Sequence, residues 1–339
     1  MKQRIEYIDN IKGFAILLVV MGHVIANWFP DFYDVLADKE SKDLIVWRLI
    51  YSFHMPLFMF CSGLFQPVMN GESTGNDFWN VICRRFNVLM IPYFASGLVL
   101  WAVTGRPSFY WFLLILFEFI FINLCIGFLT SRFRKYGNYI EGAAFVLMYL
   151  TIHVITTRFS KYEILPLLDI GHLSHYIYFT LGYLVAKYKL LERIYYNHVY
   201  TLAIMVFVGL YVFFKLMDVK LSAGGVVIGP LMPLTAIYAI FFLFKSTGIS
   251  RKTNFLNWCG THSLEIYILH FFFLIKAPFI GDFIHDYSLI GGGRFIFVMG
   301  VLISVMMSLV NISFCYGVLL IITKSSILSQ ILLGRKHKI

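Results

Sequence analysis

Phe109-Tyr110-Trp111-Phe112-Leu113-Leu114-Ile115-Leu116-Phe117-Glu118-Phe119-Ile120-Phe121-Ile122-Asn123-Leu124-Cys125-Ile126-Gly127-Phe128-Leu129-Thr130 runs for 22 residues with a single charge, Glu118. A bilayer core takes roughly 20 apolar residues of helix to cross. A half-buried strand would alternate polar and apolar, and this stretch does not. Backbone polar groups have no water to bond inside lipid, so each such segment closes its own hydrogen bonds as a helix. The stretch therefore reads as a transmembrane helix, and the rest of the chain repeats its pattern.

Of the 339 residues, 59% are hydrophobic and only 14% are charged. A soluble domain carries nearer ~25% charge and could not hide so much apolar surface. These figures exclude a soluble globular protein, a disordered chain and a secreted disulfide scaffold. Ten apolar spans are expected, near 11–29, 44–69, 86–104, 109–130, 139–157, 170–186, 199–214, 226–244, 255–279 and 294–323. The first follows Lys2, Arg4 and Lys12 without a convincing small-residue cleavage site, so it is expected to stay in the protein. With the N-terminus inside, 18 of the 28 Lys and Arg residues fall in inside segments and 10 outside. That bias supports an all-α integral membrane protein of about ten transmembrane helices with both termini cytoplasmic.

The net charge of +10 sits at the ends of apolar runs, so anionic lipid headgroups are the expected partner and nucleic acid is not. Residues 1–325 form one multi-span membrane domain and 326–339 a short basic cytoplasmic tail, expected to lie on the inner membrane surface. The acidic stretch 30–43 should face outside. The five cysteines show no paired spacing and read as small core hydrophobes.

Ionisable residues at membrane depth are functional candidates. His23 lies eleven residues past Lys12, about 16 Å higher on a helix at ~1.5 Å per residue. Asp9 is one turn below Lys12. His54, in Ser52-Phe53-His54-Met55-Pro56, is expected at the same depth on the descending second span, beside the helix opening that Pro56 makes. Two imidazoles at one depth suit a shared substrate hydroxyl or a metal. No carboxylate or thiol stands at ligand spacing, and no metal is expected. Glu118 needs a His or Arg partner within the membrane. Glu265 and His270, five residues apart in Ser263-Leu264-Glu265-Ile266-Tyr267-Ile268-Leu269-His270, do not closely share a helix face. His153, His172 and His175 fall toward the outer span ends, at headgroup level or lining an outward mouth. Arg84-Arg85 end the third span on the inside, where guanidinium forks suit phosphate or serve as anchors. No phosphate-binding glycine loop, dinucleotide fingerprint or nucleophile elbow is present.

The opening Tyr7-Ile8-Asp9-Asn10-Ile11-Lys12-Gly13-Phe14-Ala15-Ile16-Leu17-Leu18-Val19-Val20-Met21-Gly22-His23 resembles the signature first span of the integral-membrane acyltransferase 3 family. Lys12 stands where the family most often has Arg, and such a Lys is the variant seen in its fucose- and antigen-acetylating branch. Phe53-His54-Met55-Pro56-Leu57-Phe58 with Ser62-Gly63, Arg84-Arg85-Phe86 through Pro92-Tyr93, Trp111-Phe112-Leu113, and Gly260 through His270 resemble further motifs of that family. The resemblance spans about residues 7–325. It implies transfer of an acyl group, usually acetyl, from cytoplasmic acyl-CoA to a hydroxyl of a sugar on a lipid-linked or exported glycan. It implies the cytoplasmic membrane of a bacterium as the location and acetyl-CoA as donor. On that resemblance His23, His54 and Glu118 are the catalytic candidates. Lys12, Arg84 and Arg85 would hold the CoA phosphates, and Asp9, Trp111, Glu265 and His270 would meet the acceptor. His23 acts either as general base or as transient acyl carrier. The rival class is a secondary transporter of small anions or glycan precursors, in which Gly224-Gly225 and Gly291-Gly292-Gly293 would be helix breaks.

Overall fold

The computed structural model describes residues 6–32, 34, 43–105, 110–133, 136–159, 170–192, 197–217, 225–246, 254–289 and 293–334. Most of the acidic stretch 30–43, the residues 335–339 of the basic tail, and Gly224, Gly291 and Gly292 of the suggested breaks lie outside that set. Among the described residues there is helix and no strand. The helices are α1 (Glu6–Ala26), α2 (Ile45–Tyr51), α3 (His54–Gly63), α4 (Gly75–Thr104), α5 (Trp111–Thr130), α6 (Gly137–Phe159), α7 (Tyr176–Lys187), α8 (Asn197–Met217), α9 (Gly225–Ser246), α10 (Asn254–Thr261), α11 (Ser263–Leu269), α12 (Pro278–Leu289), α13 (Gly293–Ile322) and α14 (Ser326–Leu333). Each of the ten expected spans contains helix, although 44–69 leaves it after Gly63.

The chain is a multi-pass membrane protein. Seven of its described helical segments, with α2 and α3 counted together as Ile45–Gly63, are long and apolar enough to cross a bilayer, or eight if the bent pair Ser263–Phe273 and Pro278–Tyr287 is one span. The expected count of ten is higher for three physical reasons. The sixth span opens as a 3-10 turn, Ile170–His175, which leaves α7 only 12 residues. The apolar part of α8 is short, Val199–Phe213. The ninth, 255–279, breaks at His262 and then turns by 90° into α12.

The chain forms two compact units. The first joins residues 1–55 to 240–324, and the second joins 56–239 to 325–339. In the first unit α1 is enclosed by protein: 78% of its apolar window is buried, against 17% for α6. Enclosure is made possible by glycine. A Cβ on Gly13 would overlap the Leu256 carbonyl, and one on Gly260 would overlap the Asp9 carbonyl. The backbones of α1 and α10 therefore touch, as small residues permit between membrane helices. The hydrogen bonds from His262 N to the Trp258 carbonyl and from Ile266 N to the His262 carbonyl carry the helical path from α10 into α11.

In the second unit α3 and α7 meet the same way, at Gly63 and Gly182. Between α5 and α7, Tyr176 donates to the Asn123 side-chain oxygen at 2.7 Å, joined by Thr180. A Thr74–Asp77 capping box opens α4, satisfying first-turn amides. Pro92 within α4 cannot donate to the Val88 carbonyl. That carbonyl lies against Gly334, which ends the tail helix α14 at φ +66°. Outward residues Ile327, Leu328 and Ile331 of α14 are exposed.

Candidate functional site

α1 and the α10–α11 path run side by side in the same direction. Gly13 meets Gly260 at one level, and ten residues later on each helix His23 meets His270, with ring centroids 5.2 Å apart. Ten residues are ~15 Å of helix, so equal spacing on both paths brings the two rings to one depth. Phe271 closes one side, 4.7 Å from the His23 ring and 4.1 Å from His270.

The two imidazoles are not equivalent. His270 is 0% exposed, whereas His23 keeps part of its surface open. His270 Nδ1 lies 3.1 Å from the Ile266 carbonyl oxygen. A carbonyl only accepts, so the neutral ring carries its proton on Nδ1 and its lone pair on Nε2. That Nε2 is buried with no hydrogen-bond partner among the described residues. Asn311 on α13 donates to the His270 carbonyl at 3.0 Å and holds this turn in place. Just past α1, Asn27 donates to the His23 carbonyl at 2.8 Å, and Trp28 Nε1 reaches the Met307 sulfur at 3.3 Å.

His54 repeats the His270 arrangement. It is buried, and its Nδ1 donates to the Ile50 carbonyl at 2.9 Å, so Nε2 is again the basic nitrogen. Tyr51 links it toward α1. The Tyr51 ring lies 4.4 Å from the His54 ring, and a Cβ on Gly22, next to His23, would meet it. Trp47 stacks on the other face of Tyr51 at 3.8 Å. Glu265 is buried on α11, one turn before His270. Asp9 is buried and Lys12 half-buried at the opposite end of α1 from His23. The first unit thus contains Asp9, Lys12, His23, His54, Glu265 and His270.

Arg84, Arg85, Trp111 and Glu118 belong to the second unit. Arg84 is exposed on α4, while Arg85 turns inward and donates to the Phe65 carbonyl at 3.0 Å, tying α4 to the segment after α3. Glu118 is half-buried in α5. Trp111 stacks on His172 at 3.7 Å, with His175 6.0 Å away. Sequence reasoning passed over Glu141, a buried carboxylate on α6 that pairs with Lys187 on α7 and accepts from Tyr183 at 3.0 Å. Its signal was plain: an acid at the third residue of the expected span 139–157. Among the described residues no three His, Cys, Asp or Glu side chains are grouped to hold a metal ion.

A family model described as an acyltransferase domain matches residues 5–309, which takes in both units. The chain belongs to the acyltransferase 3 family. This is a family of membrane acyltransferases, and the first-span Lys12–His23 spacing lies within the matched region. The acyltransferase 3 chain is also 34% identical over 90 residues to an inner membrane protein, YcfT, of Escherichia coli strain K12; the match covers 24% of this chain and 25% of that protein. No solved structure matches it.

Proposed function

We propose that the protein is an O-acyltransferase that moves acetyl from acetyl-CoA to a hydroxyl of a sugar on a lipid-linked or exported glycan, in the cytoplasmic membrane of a bacterium. The observation that carries this reading is the pairing of a part-buried imidazole, His23, with a fully enclosed one, His270. An acetyl thioester needs an acceptor oxygen freed of its proton. His23 is the ring a substrate can reach, and it takes that proton as the hydroxyl oxygen attacks the thioester carbonyl. The C–S bond then breaks, the oxygen–acyl bond forms, and the proton passes to the departing thiolate to give CoA-SH. Base catalysis of this kind contributes ~10²–10⁴-fold. His270, with its basic Nε2 turned to no other partner, steadies the His23 ring and its charge during the transfer. Transfer through an acyl-His23 intermediate uses the same pair, with the imidazole nitrogen as nucleophile.

Lys12, half-buried at the far end of α1, and Arg84, exposed on α4, are the groups we assign to the phosphates of CoA. Arg85 is assigned the same role from a fixed position, since its fork already holds the Phe65 carbonyl. His54 and Glu118 complete the catalytic set, and Asp9, Trp111 and Glu265 the acceptor side. No metal takes part in this reading.

The test is purified protein in nanodiscs with radiolabelled acetyl-CoA, with and without a lipid-linked glycan fraction. Label appearing on glycan together with CoA-SH is the expected result. Uptake of anions or glycan precursor into proteoliposomes, with no covalent change, would replace this reading with transport.

A further inference from the structure

The second unit holds a cavity of about 280 Å³ that no step above uses. Four elements of the fold build it besides α3. α6 supplies Tyr149 and His153, the 3-10 turn before α7 supplies Ser174 and His175, α7 supplies Tyr178, and α9 supplies Pro230. The residues lining it are aromatic, hydroxyl-bearing, imidazole or apolar; there is no Lys, Arg, Asp or Glu among them. The imidazole of His175 is oriented. Its Nδ1 donates to the His172 carbonyl at 2.9 Å, which makes Nε2 an acceptor in the neutral ring. Behind it stand His172 and Trp111, stacked face to face at 3.7 Å, with the His172 and His175 rings near parallel at 6.0 Å. Tyr178 is buried, 6.3 Å from His175, and Tyr149 and His153 are also 6.3 Å apart.

We infer that this cavity binds one uncharged sugar ring of the acceptor. The inference rests on the acyl-transfer reading for its biological role, but its chemistry is local. A neutral pyranose has apolar C–H faces that pack on aromatic rings and edge hydroxyls that both donate and accept. The cavity offers ring faces from two Tyr and two His, and neutral donors and acceptors from hydroxyls and imidazoles. Among the described lining residues a phosphate or carboxylate ligand would find no ammonium or guanidinium, and a cationic ligand would find no carboxylate. The volume is close to the lower end of ordinary ligand pockets, ~300 Å³, which suits a single ring and not a nucleotide.

The measurement is saturation-transfer NMR on the full chain in nanodiscs, using methyl α-D-glucopyranoside, methyl α-D-galactopyranoside, methyl α-L-fucopyranoside and methyl β-D-glucuronide. Transfer to ring protons of at least one neutral glycoside is expected, with less to the glucuronide. His175→Ala and Tyr178→Phe should each weaken it by about two- to tenfold, the loss of one hydrogen bond. His153→Gln, on a different helix, gives the same loss if either of those variants fails to fold. Saturation from the glucuronide alone, from no glycoside, or undiminished in every folded variant overturns the inference. CoA release from acetyl-CoA is followed in the same samples. Glycoside binding without acyl transfer would sink the acyltransferase reading and keep this pocket. Acyl transfer whose glycan KM is unmoved by the pocket variants would do the reverse.

Discussion

In the proposed reaction His23 and His270 divide one task by their surroundings. An imidazole that must accept a substrate proton has to be reachable, and His23 is the half-open ring. An imidazole that steadies it has to be fixed, and His270 is enclosed, with its Nδ1 tied to the Ile266 carbonyl. His270→Ala should therefore lower kcat about 10²-fold or more while leaving KM for acetyl-CoA within about twofold, because it removes an interaction used at the transition state. His270→Asn keeps a side chain in the cavity and should recover part of the protein's stability but not its rate. Steady-state kinetics on both variants checks this. Glu141 is a different case. Glu141→Gln leaves the Lys187 ammonium without its counter-charge in a nearly closed site, a loss of about 3–5 kcal/mol. The double variant Glu141→Gln/Lys187→Met should regain most of it in a thermal-shift assay.

Elements reach the site through small residues. Gly13 and Gly260 allow two backbones to touch, and that contact sets the level at which the histidines meet. Gly260→Ala should lower Tm through overpacking, at about 1–3 kcal/mol, and should lower kcat as well by separating the rings. An alanine at Gly209 meets nothing within 4 Å and should leave both unchanged. Apolar length disclosed where the helices are, and the intramembrane position of His23, His54 and His270 could be read from the same counting. The pairing of His23 with His270 was hidden, although a Gly followed ten residues later by His occurs in both helices. Periodicity within one helix says nothing about which other helix lies beside it. The break at His262 and the 3-10 turn at Ile170–His175 were also invisible, because both sit in runs as apolar as their neighbours. Arg85 looked like half of a phosphate fork, and only coordinates reveal that it grips the Phe65 carbonyl.

At the scale of the whole molecule, the number of crossings and the sides of the termini are linked. An even number of spans keeps both termini on one side, and seven would put them on opposite sides. The Lys and Arg bias favours both inside. Reporter fusions after Ile339 and before Met1 should therefore give the same cytoplasmic signal, and cysteine labelling along α8 should show a membrane-protected stretch. Opposite signals would mean an odd count. The exposed Ile327, Leu328 and Ile331 of α14 fit a helix seated at the membrane surface, beside the Val88 carbonyl that Pro92 leaves open. Both compact units lie largely inside the stretch matched by the acyltransferase model.

The central claim is that His23 carries out the proton or acyl transfer. The most direct measurement is CoA-SH release and label transfer from radiolabelled acetyl-CoA by His23→Ala, purified in nanodiscs beside the native protein. A well-folded, membrane-inserted variant with transfer reduced to background is the predicted result. Transfer at the native rate from that variant would contradict the account.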